Sequence, residues 1–302
     1  MSYGYYANFL KACNNLTSDV KNWGEVVDPG HWQGVSTKGQ PSLVTKELSN
    51  VIFTVPVARF DMHGAELLEV LASEIQPNRD WADEHFQERV GGVPLNPDPS
   101  HERWPWWHGQ DSAKTEGEQE QFTHTYSERF WPKKAGPMDG KLHKDPQAIL
   151  DANDFDSVNI GIRYRYGDLD DVVALLAREP FTRQAYLPVW FPEDTGAHHG
   201  ERVPCSLGYH FMLREGKLHC AYFIRSCDFL RHFRDDVYLT CRLVQWVLDQ
   251  VKEEGFLVDK DPWQGVKPGM LTMFMHSLHV FEGDMPKMRK EFGYVPVRST
   301  DE

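Results

Sequence analysis

Hydrophobic residues recur along the chain with two spacings. Apolar residues at every second position, or in short continuous runs, predict strands, and apolar residues three and four positions apart predict helices. Stretches rich in β-branched and aromatic residues predict strands over residues 42–58, 157–167, 184–190 and 270–281. Two more apolar stretches, 207–213 and 217–224, flank the turn Arg214-Glu215-Gly216, which predicts a β-hairpin.

Helical spacing appears in three places. Residues 64–75, GAELLEVLASEI, have apolar positions three and four apart. Asp168 predicts the N-cap of a helix over 169–179, which Pro180 terminates. Asp235 predicts the N-cap of a long helix ending at Gly255. The apolar face of that last helix comprises Val237, Cys241, Val244, Leu248 and Val251.

Residues 76–150 carry no clear period. They contain many prolines and glycines, the tryptophan cluster WPWW, and the polar run KTEGEQEQ, which predicts a solvated loop. The order of elements is mixed rather than a regular βαβ alternation, which indicates an α+β protein with a large, mostly buried mixed sheet and helices packed on it. We expect a single domain over 1–302, with 76–150 as a variable insert.

Composition narrows the class of protein. The net charge of −13 over 302 residues argues against a nucleic-acid partner, although a local basic site for one small phosphate is compatible with it. No run approaches the roughly 20 apolar residues of a membrane helix, so we expect no membrane partner. The first residues lack a signal-peptide pattern, and the five cysteines show no zinc spacing, so we expect reduced thiols in the cytoplasm. His198 and His199 are interpreted as an exposed loop, and no metal site is expected.

Cys205 follows Pro204 at the start of the hairpin and has two interpretations. It is either a small buried hydrophobic residue or a nucleophilic thiolate, which needs nearby positive charge because a free thiol has a pKa of about 8.5. The hairpin can bring Arg225 beside it. Arg225 and Ser226 together suit a phosphate, whereas an Arg225–Asp228 pair suits a salt bridge.

The stretch PCSLGYHFMLREGKLHCAYFIRSCD resembles the central block of the thymidylate synthase family, with its Pro-Cys nucleophile and downstream RSCD. The stretches EPFTRQAYLPVWFPED and SLHVF resemble the family's phosphate-binding and sugar-binding segments. The resemblance covers residues 156–285 firmly and 42–135 loosely. It implies a thymidylate synthase-like fold, a homodimer through the face of the sheet, and Cys205 as the nucleophile. The substrate-binding residues that it implies are Arg183, Arg225, Ser226, Asp228 and His279.

Asp236 is the informative departure. The family carries an asparagine there, whose amide matches the ring N–H and carbonyl of uracil. A carboxyl group instead can give a proton to the bare ring nitrogen of cytosine. The string Phe233-Arg234-Asp235-Asp236 is similar to that of the phage deoxycytidylate hydroxymethylases, a branch of the family that carries Asp here. The chain as a whole also resembles the cytidylate hydroxymethylase branch of nucleoside-antibiotic biosynthesis of the mildiomycin type. The alternative interpretation of Asp236 is a plain acid at a helix N-terminus.

That branch implies hydroxymethylation of carbon 5 of CMP or dCMP with 5,10-methylenetetrahydrofolate as cofactor. Phe281 stands where the family has a sugar-binding tyrosine, which favours CMP. Lys133 matches a family segment near the folate and pyrimidine, and either touches the sugar or is solvated. Glu102 is favoured over Glu69 as the acid that organises the proton-transfer water, although Pro105 would disturb a helix there.

Other departures concern the phosphate segment and the nucleophile. The family's paired phosphate arginines appear here as Arg183 and Gln184, and its Cys-His dipeptide as Cys205-Ser206. The tryptophans either line a folate pocket or are core packing. Two rival functions remain open, a thymidylate synthase that methylates dUMP and a non-catalytic nucleotide-binding protein.

Overall fold

A mixed β-sheet forms the centre of the protein in the computed structural model, which describes residues 3–32, 35–58, 62, 64–106, 113–116, 119–134, 167–195, 203–255 and 262–291. The strands are β1 (Tyr3–Tyr5), β2 (Glu25–Val27), β3 (His31–Trp32), β4 (Val35–Ser36), β5 (Thr45–Pro56), β6 (Ala113–Glu116), β7 (Gln119–Phe122), β8 (Tyr186–Pro188), β9 (Ser206–Arg214), β10 (Lys217–Asp228) and β11 (Lys267–Phe281). Seven of them form the central sheet, in the order β1-β5-β11-β10-β9-β8 with β2 also on β5. β10 runs parallel to β11, while β9 and β5 are antiparallel to their neighbours β10 and β11.

The helices are α1 (Phe9–Trp23), α2 (Gly64–Ile75), α3 (Arg79–Val90), α4 (Tyr126–Phe130), α5 (Leu169–Arg178), α6 (Pro192–Thr195), α7 (Phe233–Gly255) and α8 (Met285–Glu291). The five residues assigned to the apolar face of α7 are all buried, as the spacing predicts. In β10 the residues Leu218, Cys220, Tyr222 and Ile224 are buried, whereas Ala221 and Phe223 on the opposite face are only half-buried. Helices therefore cover one face of the sheet. Within the described residues, no helix has the length and apolar character to cross a membrane.

The predicted hairpin, the helix over 64–75 and the strand over 270–281 are confirmed. Glu215 and Gly216 both have positive φ in the β9–β10 turn, a conformation that glycine adopts at little cost. The helix predicted after Asp168 is also confirmed. Asp168 caps α5 by accepting a hydrogen bond from the backbone N–H of Asp171, and the Asp171 side chain returns the interaction as a capping box.

Some predictions require correction. α7 begins at Phe233, so Asp235 is not its N-cap. Its carboxylate instead accepts hydrogen bonds of 2.8 Å from the backbone and the side chain of Asn78. The strand predicted over 184–190 shortens to Tyr186–Pro188, because only this part pairs with β9.

The prediction of an irregular stretch over 76–150 is wrong in part. Helices α3 and α4 lie within it, and the described residues of the run predicted as a solvated loop belong to the β6–β7 ladder. The spacing of apolar residues does not predict helix α3, because its buried face includes His85 and Arg89, which weaken the apolar pattern. Helix α1 was not anticipated either. The predicted strand over 157–167 and the loop with His198 and His199 lie outside the described residues, apart from Gly167, and the single-domain assignment stays a prediction.

Candidate active site

Cys205 is exposed and lies directly before β9. A bulge between β9 and β10 alters the register next to it, and such bulges redirect the chain at strand ends. Arg225 on β10 holds this turn. Its backbone N–H donates to the Cys205 carbonyl at 2.9 Å, and its guanidinium donates to the carbonyls of Pro204 at 2.8 Å and Val203 at 3.1 Å. Of the five free cysteines, all within the described residues, Cys205 is the exposed one.

Asp236 sits in the first turn of α7 and is half-buried. The Cys227 thiol donates to its Oδ2 at 3.8 Å. Burial is the main cause that raises the pKa of this carboxyl to about 7, and the charge of Arg89 opposes the effect. Asp236 can therefore carry a proton near neutral pH. Tyr126 and Cys227 each interact electrostatically with both Cys205 and Asp236, so the thiol and the carboxyl lie close to the same two side chains. We call the region of these four residues the pocket.

A hydroxyl network lies behind the thiol, and the sequence did not reveal it. Ser206 is fully buried, and its Oγ donates to the Tyr126 hydroxyl at 3.1 Å and lies 2.6 Å from the Tyr222 hydroxyl. Tyr209 and Tyr222 stack with ring centroids 4.5 Å apart. Burial raises the pKa of all three tyrosines, so their hydroxyls stay protonated.

Asp228 and His279 meet at the ends of the parallel strands β10 and β11, where they are register partners. Burial, followed by the charges of Arg231 and Arg225, lowers the pKa of His279 to about 4, so its ring is neutral. Burial raises the pKa of Asp228 to about 6, although the Arg231 backbone N–H and guanidinium favour its charged form. Arg225 therefore acts on both groups: its backbone N–H binds the Cys205 carbonyl, and its charge lowers the pKa of His279.

The tryptophans pack on the loop that follows Asp228. Trp104 stacks on His232 at 4.7 Å, and the Arg231 guanidinium lies 5.1 Å from the Trp106 ring centroid. The indole N–H of Trp104 is buried without an acceptor among the described residues. A buried indole N–H without an acceptor, next to aromatic rings, is chemically suited to a flat heteroaromatic ring that carries acceptor atoms.

Three residues assigned from the sequence lie elsewhere. Arg183 is exposed before β8, and its carbonyl accepts from His210. Lys133 forms an ion pair with Asp171 and lies 3.7 Å from Asp168, at the N-terminus of α5. Glu102 is exposed over 77% of its side chain in a 3-10 turn over Pro99–Arg103. The roles of these residues stay predictions.

Glu69, the alternative to Glu102, is also exposed, and it pairs with Arg79. The buried glutamate of this region is Glu88 on α3. Its carboxylate accepts from the Ser100 backbone at 2.7 Å and from the Ser100 hydroxyl at 2.5 Å, and lies 3.3 Å from His85. The signal that could have indicated it is the spacing of His85, Glu88 and Arg89 within an otherwise amphipathic helix.

His85, Glu88 and Asp98 could hold a metal ion by position alone, with donor atoms within 4.8 Å of one another. Their donor atoms are already used. Ser100 satisfies His85 and Glu88, and the Ser127 hydroxyl donates to Asp98 at 2.8 Å. A network of satisfied hydrogen bonds accounts for the cluster without an ion.

Comparison with known proteins adds an independent line of observation. No model of a known protein family matches the chain. Proteins named "Putative thymidylate synthase" match part of it: 30% identity over 117 residues in Methanosarcina barkeri, which is 38% of this chain and 46% of that protein, and the same identity and shares in Methanosarcina acetivorans. The chain therefore spans about half the length of these curated relatives. Thermostable thymidylate synthase A from Bacillus subtilis superposes with a TM-score of 0.59 at 14% identity, covering 96% of this chain and 85% of that one.

Proposed function

We propose that this chain, which has the thymidylate synthase fold, transfers a one-carbon unit to carbon 5 of cytidine 5'-monophosphate and forms 5-hydroxymethyl-CMP. The observation that carries the proposal is Asp236. The pKa of this carboxyl is raised to about 7, and it shares the pocket with the exposed thiol of Cys205. A protonated carboxyl donates one hydrogen bond and accepts another, whereas a carboxylate only accepts. Cytosine presents an acceptor ring nitrogen beside a donor amine, which the protonated carboxyl matches.

The chemistry assigned to the chain begins at Cys205. Its sulfur bonds to carbon 6 of the base, and the electrons of the 5,6 double bond move toward ring nitrogen 3. Asp236 gives its proton to that nitrogen as the charge develops, which leaves carbon 5 nucleophilic. After carbon 5 has been substituted and has lost its proton, the bond between the new exocyclic carbon and the nitrogen of the one-carbon carrier would break, with the electron pair leaving on that nitrogen as tetrahydrofolate. Water then adds to the exocyclic carbon. The sulfur–carbon bond then breaks, and Asp236 recovers its proton.

The proposed cofactor, 5,10-methylenetetrahydrofolate, supplies the one-carbon unit when bound. Asp228 offers a carboxylate oxygen and Trp104 an unpaired N–H, which fit the donors and acceptors of a pterin ring. Trp106 and the Arg231 guanidinium, which is ion-paired with Asp284, form a flat surface that suits the face of the pterin ring. In this proposal these residues bind and orient the cofactor, and Asp236 carries out the proton transfer to and from the base.

His279 and Phe281 bear on the choice of sugar. The neutral ring of His279 can exchange one hydrogen bond with a sugar hydroxyl, while Phe281 provides only a ring 5.5 Å away from it. Loss of a tyrosine hydroxyl leaves room for a differently held sugar, which favours CMP over dCMP. In this proposal Arg225 and Ser226 bind the phosphate, and Arg183 reaches the phosphate bound by a second copy of the chain. Lys133 lies toward the sugar once its ion pair with Asp171 opens.

A second candidate function is methylation of dUMP, which the names of the archaeal relatives favour. Asp236 argues against it, because uracil presents an N–H donor at the position where a protonated carboxyl would also donate. A nucleotide-binding protein without turnover would keep the pocket but release no proton from carbon 5.

Release of tritium from carbon 5 distinguishes these functions. We expect wild-type protein with methylenetetrahydrofolate to release tritium from labelled CMP faster than from dCMP, and from dUMP hardly at all. We expect Asp236→Asn to lose roughly ten- to a thousand-fold on CMP and to gain on UMP or dUMP, because a buried mismatch costs on the order of 1–3 kcal/mol per polar group.

Cys227→Ser is the matched control, since it keeps a hydrogen-bond donor beside Asp236. If Asp236→Asn retains the wild-type rate on CMP, the carboxyl does not recognise the base and the cytosine assignment fails.

A further inference from the structure

Arg89 on α3 is a buried cation whose Nε has no acceptor among the described residues. The residue is 5% exposed, its Nε is buried without a hydrogen-bond partner, and no carboxylate among the described residues forms an ion pair with it. Arg129 is equally buried, yet it holds both oxygens of Asp194 at 2.8 and 3.0 Å. Because burial of an unpaired charge is unfavourable, an arginine in this position indicates a function rather than a contribution to stability.

The guanidinium lies against Tyr126, which belongs to the hydroxyl network of Ser206. Its Cζ is 4.0 Å from the centroid of the Tyr126 ring, so the cation rests on the aromatic face. The Tyr126 hydroxyl accepts from Ser206, which directly follows Cys205 in the chain. The backbone of Arg89 is held as well, because the Trp131 indole N–H donates to its carbonyl at 2.8 Å.

Several elements present titratable groups to Asp236. They are Arg89 from α3, Tyr126 from α4, Tyr209 from β9, Tyr222, Cys227 and Asp228 from β10, and Asp235 from α7 itself. Among these described groups Arg89 is the one cation, while the others are neutral or acidic. Arg89 is therefore the group that opposes burial and favours the carboxylate of Asp236.

We propose that Arg89 is a positioning residue of the reaction proposed above, acting through Asp236: its unpaired charge stabilises the carboxylate that remains once Asp236 has given its proton to the base. The proton moves from Asp236 to ring nitrogen 3 as the bond between Cys205 and carbon 6 forms, and it returns when that bond breaks. Without a cation nearby, the buried carboxyl would hold its proton too tightly to exchange it.

The direct test measures the titration of Asp236 without nucleotide or turnover. Protein labelled with 13C at the aspartate carboxyls is titrated by NMR, and Asp236→Asn identifies the resonance. We expect the midpoint to rise by roughly one pH unit in Arg89→Met and Arg89→Gln, the effect of removing a nearby opposite charge. Arg89→Lys, which keeps the charge, should stay close to wild type. An unchanged midpoint in a folded neutral variant would overturn the proposal.

Arg178→Met is the control for the loss of one positive charge, since Arg178 lies exposed on α5. Circular dichroism establishes which variants are folded, and having two neutral variants keeps the test decisive if one of them unfolds. Because the titration requires no catalysis, it judges Arg89 even if no tritium is released from any nucleotide, so the two proposals fail separately.

Where turnover occurs, the pH profile gives a second readout. Protonated Asp236 is the proton donor, so the rate falls as the pH rises through its pKa. This fall, the alkaline limb of the pH profile, should move to higher pH in Arg89→Met. A purely structural role for Arg89 would lower the rate at every pH without moving the limb. Rescue of the limb position by Arg89→Lys completes the test.

Discussion

Cys205 combines exposure with a firmly held backbone, and these two properties separate its chemical role from any structural one. The side chain is exposed, so its replacement leaves no cavity in the core. We expect Cys205→Ser and Cys205→Ala to abolish tritium release while CMP still binds, with affinity within a few-fold of wild type and an unchanged melting temperature. Isothermal titration calorimetry and differential scanning calorimetry check both points. Substantial residual release would mean that another group attacks the base.

Asp98 is a buried carboxyl outside the pocket, and it links protonation to stability. Burial is the main cause that raises its pKa to about 7. The folded protein therefore keeps a proton on Asp98 at pH values where the unfolded chain, with an ordinary pKa near 3.8, has released it. Stability from this group is fully present below about pH 4 and is lost as the pH rises toward 7.

Asp98→Asn removes this titration and keeps the shape of the side chain. We expect the free energy of unfolding to fall between pH 5 and pH 8 by on the order of 2 kcal/mol more in wild type than in the variant, since one pKa unit corresponds to about 1.4 kcal/mol. Urea denaturation at the two pH values measures it. Asp170→Asn, an exposed carboxyl, serves as the control, and parallel behaviour of wild type and Asp98→Asn would contradict the prediction.

At the scale of elements, helix α5 depends on its N-terminal cap. The Asp168 side chain satisfies a backbone N–H of the first turn, and the residue also lies 3.7 Å from Lys133. We expect Asp168→Ala to lower the free energy of unfolding by about 1 kcal/mol, the usual cost of removing such a cap. The urea midpoint measures the loss, and Asp170→Ala on the same turn should leave it nearly unchanged. Equal effects of the two substitutions would show that general charge, not capping, supports the helix.

At the scale of the whole molecule, one face of the sheet is not covered by any of the described helices, and this face predicts self-association. Phe223 and Phe274 stack on this face with centroids 4.8 Å apart and stay half-buried. Covering them against a second copy would remove apolar surface from water. We expect a particle of twice 34.9 kDa in analytical ultracentrifugation, and a shift to the monomer in Phe223→Glu. A fully active monomer at the same concentration would contradict the prediction.

The same dimer carries a prediction about Arg183, which is exposed on its own chain. If Arg183 binds the phosphate of the partner's substrate, a mixed dimer of Cys205→Ser and Arg183→Ala chains contains one intact site. Coexpression of the two inactive chains should then restore part of the tritium release. Mixing each variant with itself is the control, and the absence of any recovery would assign Arg183 to its own subunit or to neither site.

The sequence by itself determined the elements whose formation depends on neighbouring residues. The capping box of Asp168 and Asp171, the turn at Gly216 and the apolar face of α7 are all local patterns, so near-neighbour chemistry is enough to predict them. The proximity of Cys205 and Arg225 could also be predicted from the sequence, because a hairpin of known length connects the two residues. The α+β class followed from the order of these elements.

Only the tertiary structure decided which charged groups are buried and with whom. Asp235 binds Asn78, which lies 157 positions away, and it therefore does not cap its own helix. Arg129 and Arg89 both lie near the end of a helix. Arg129 forms an ion pair with Asp194, whereas the Nε of Arg89 has no hydrogen-bond partner among the described residues. Burial and long-range pairing set the protonation of these groups, and neither is encoded in any stretch of neighbouring residues.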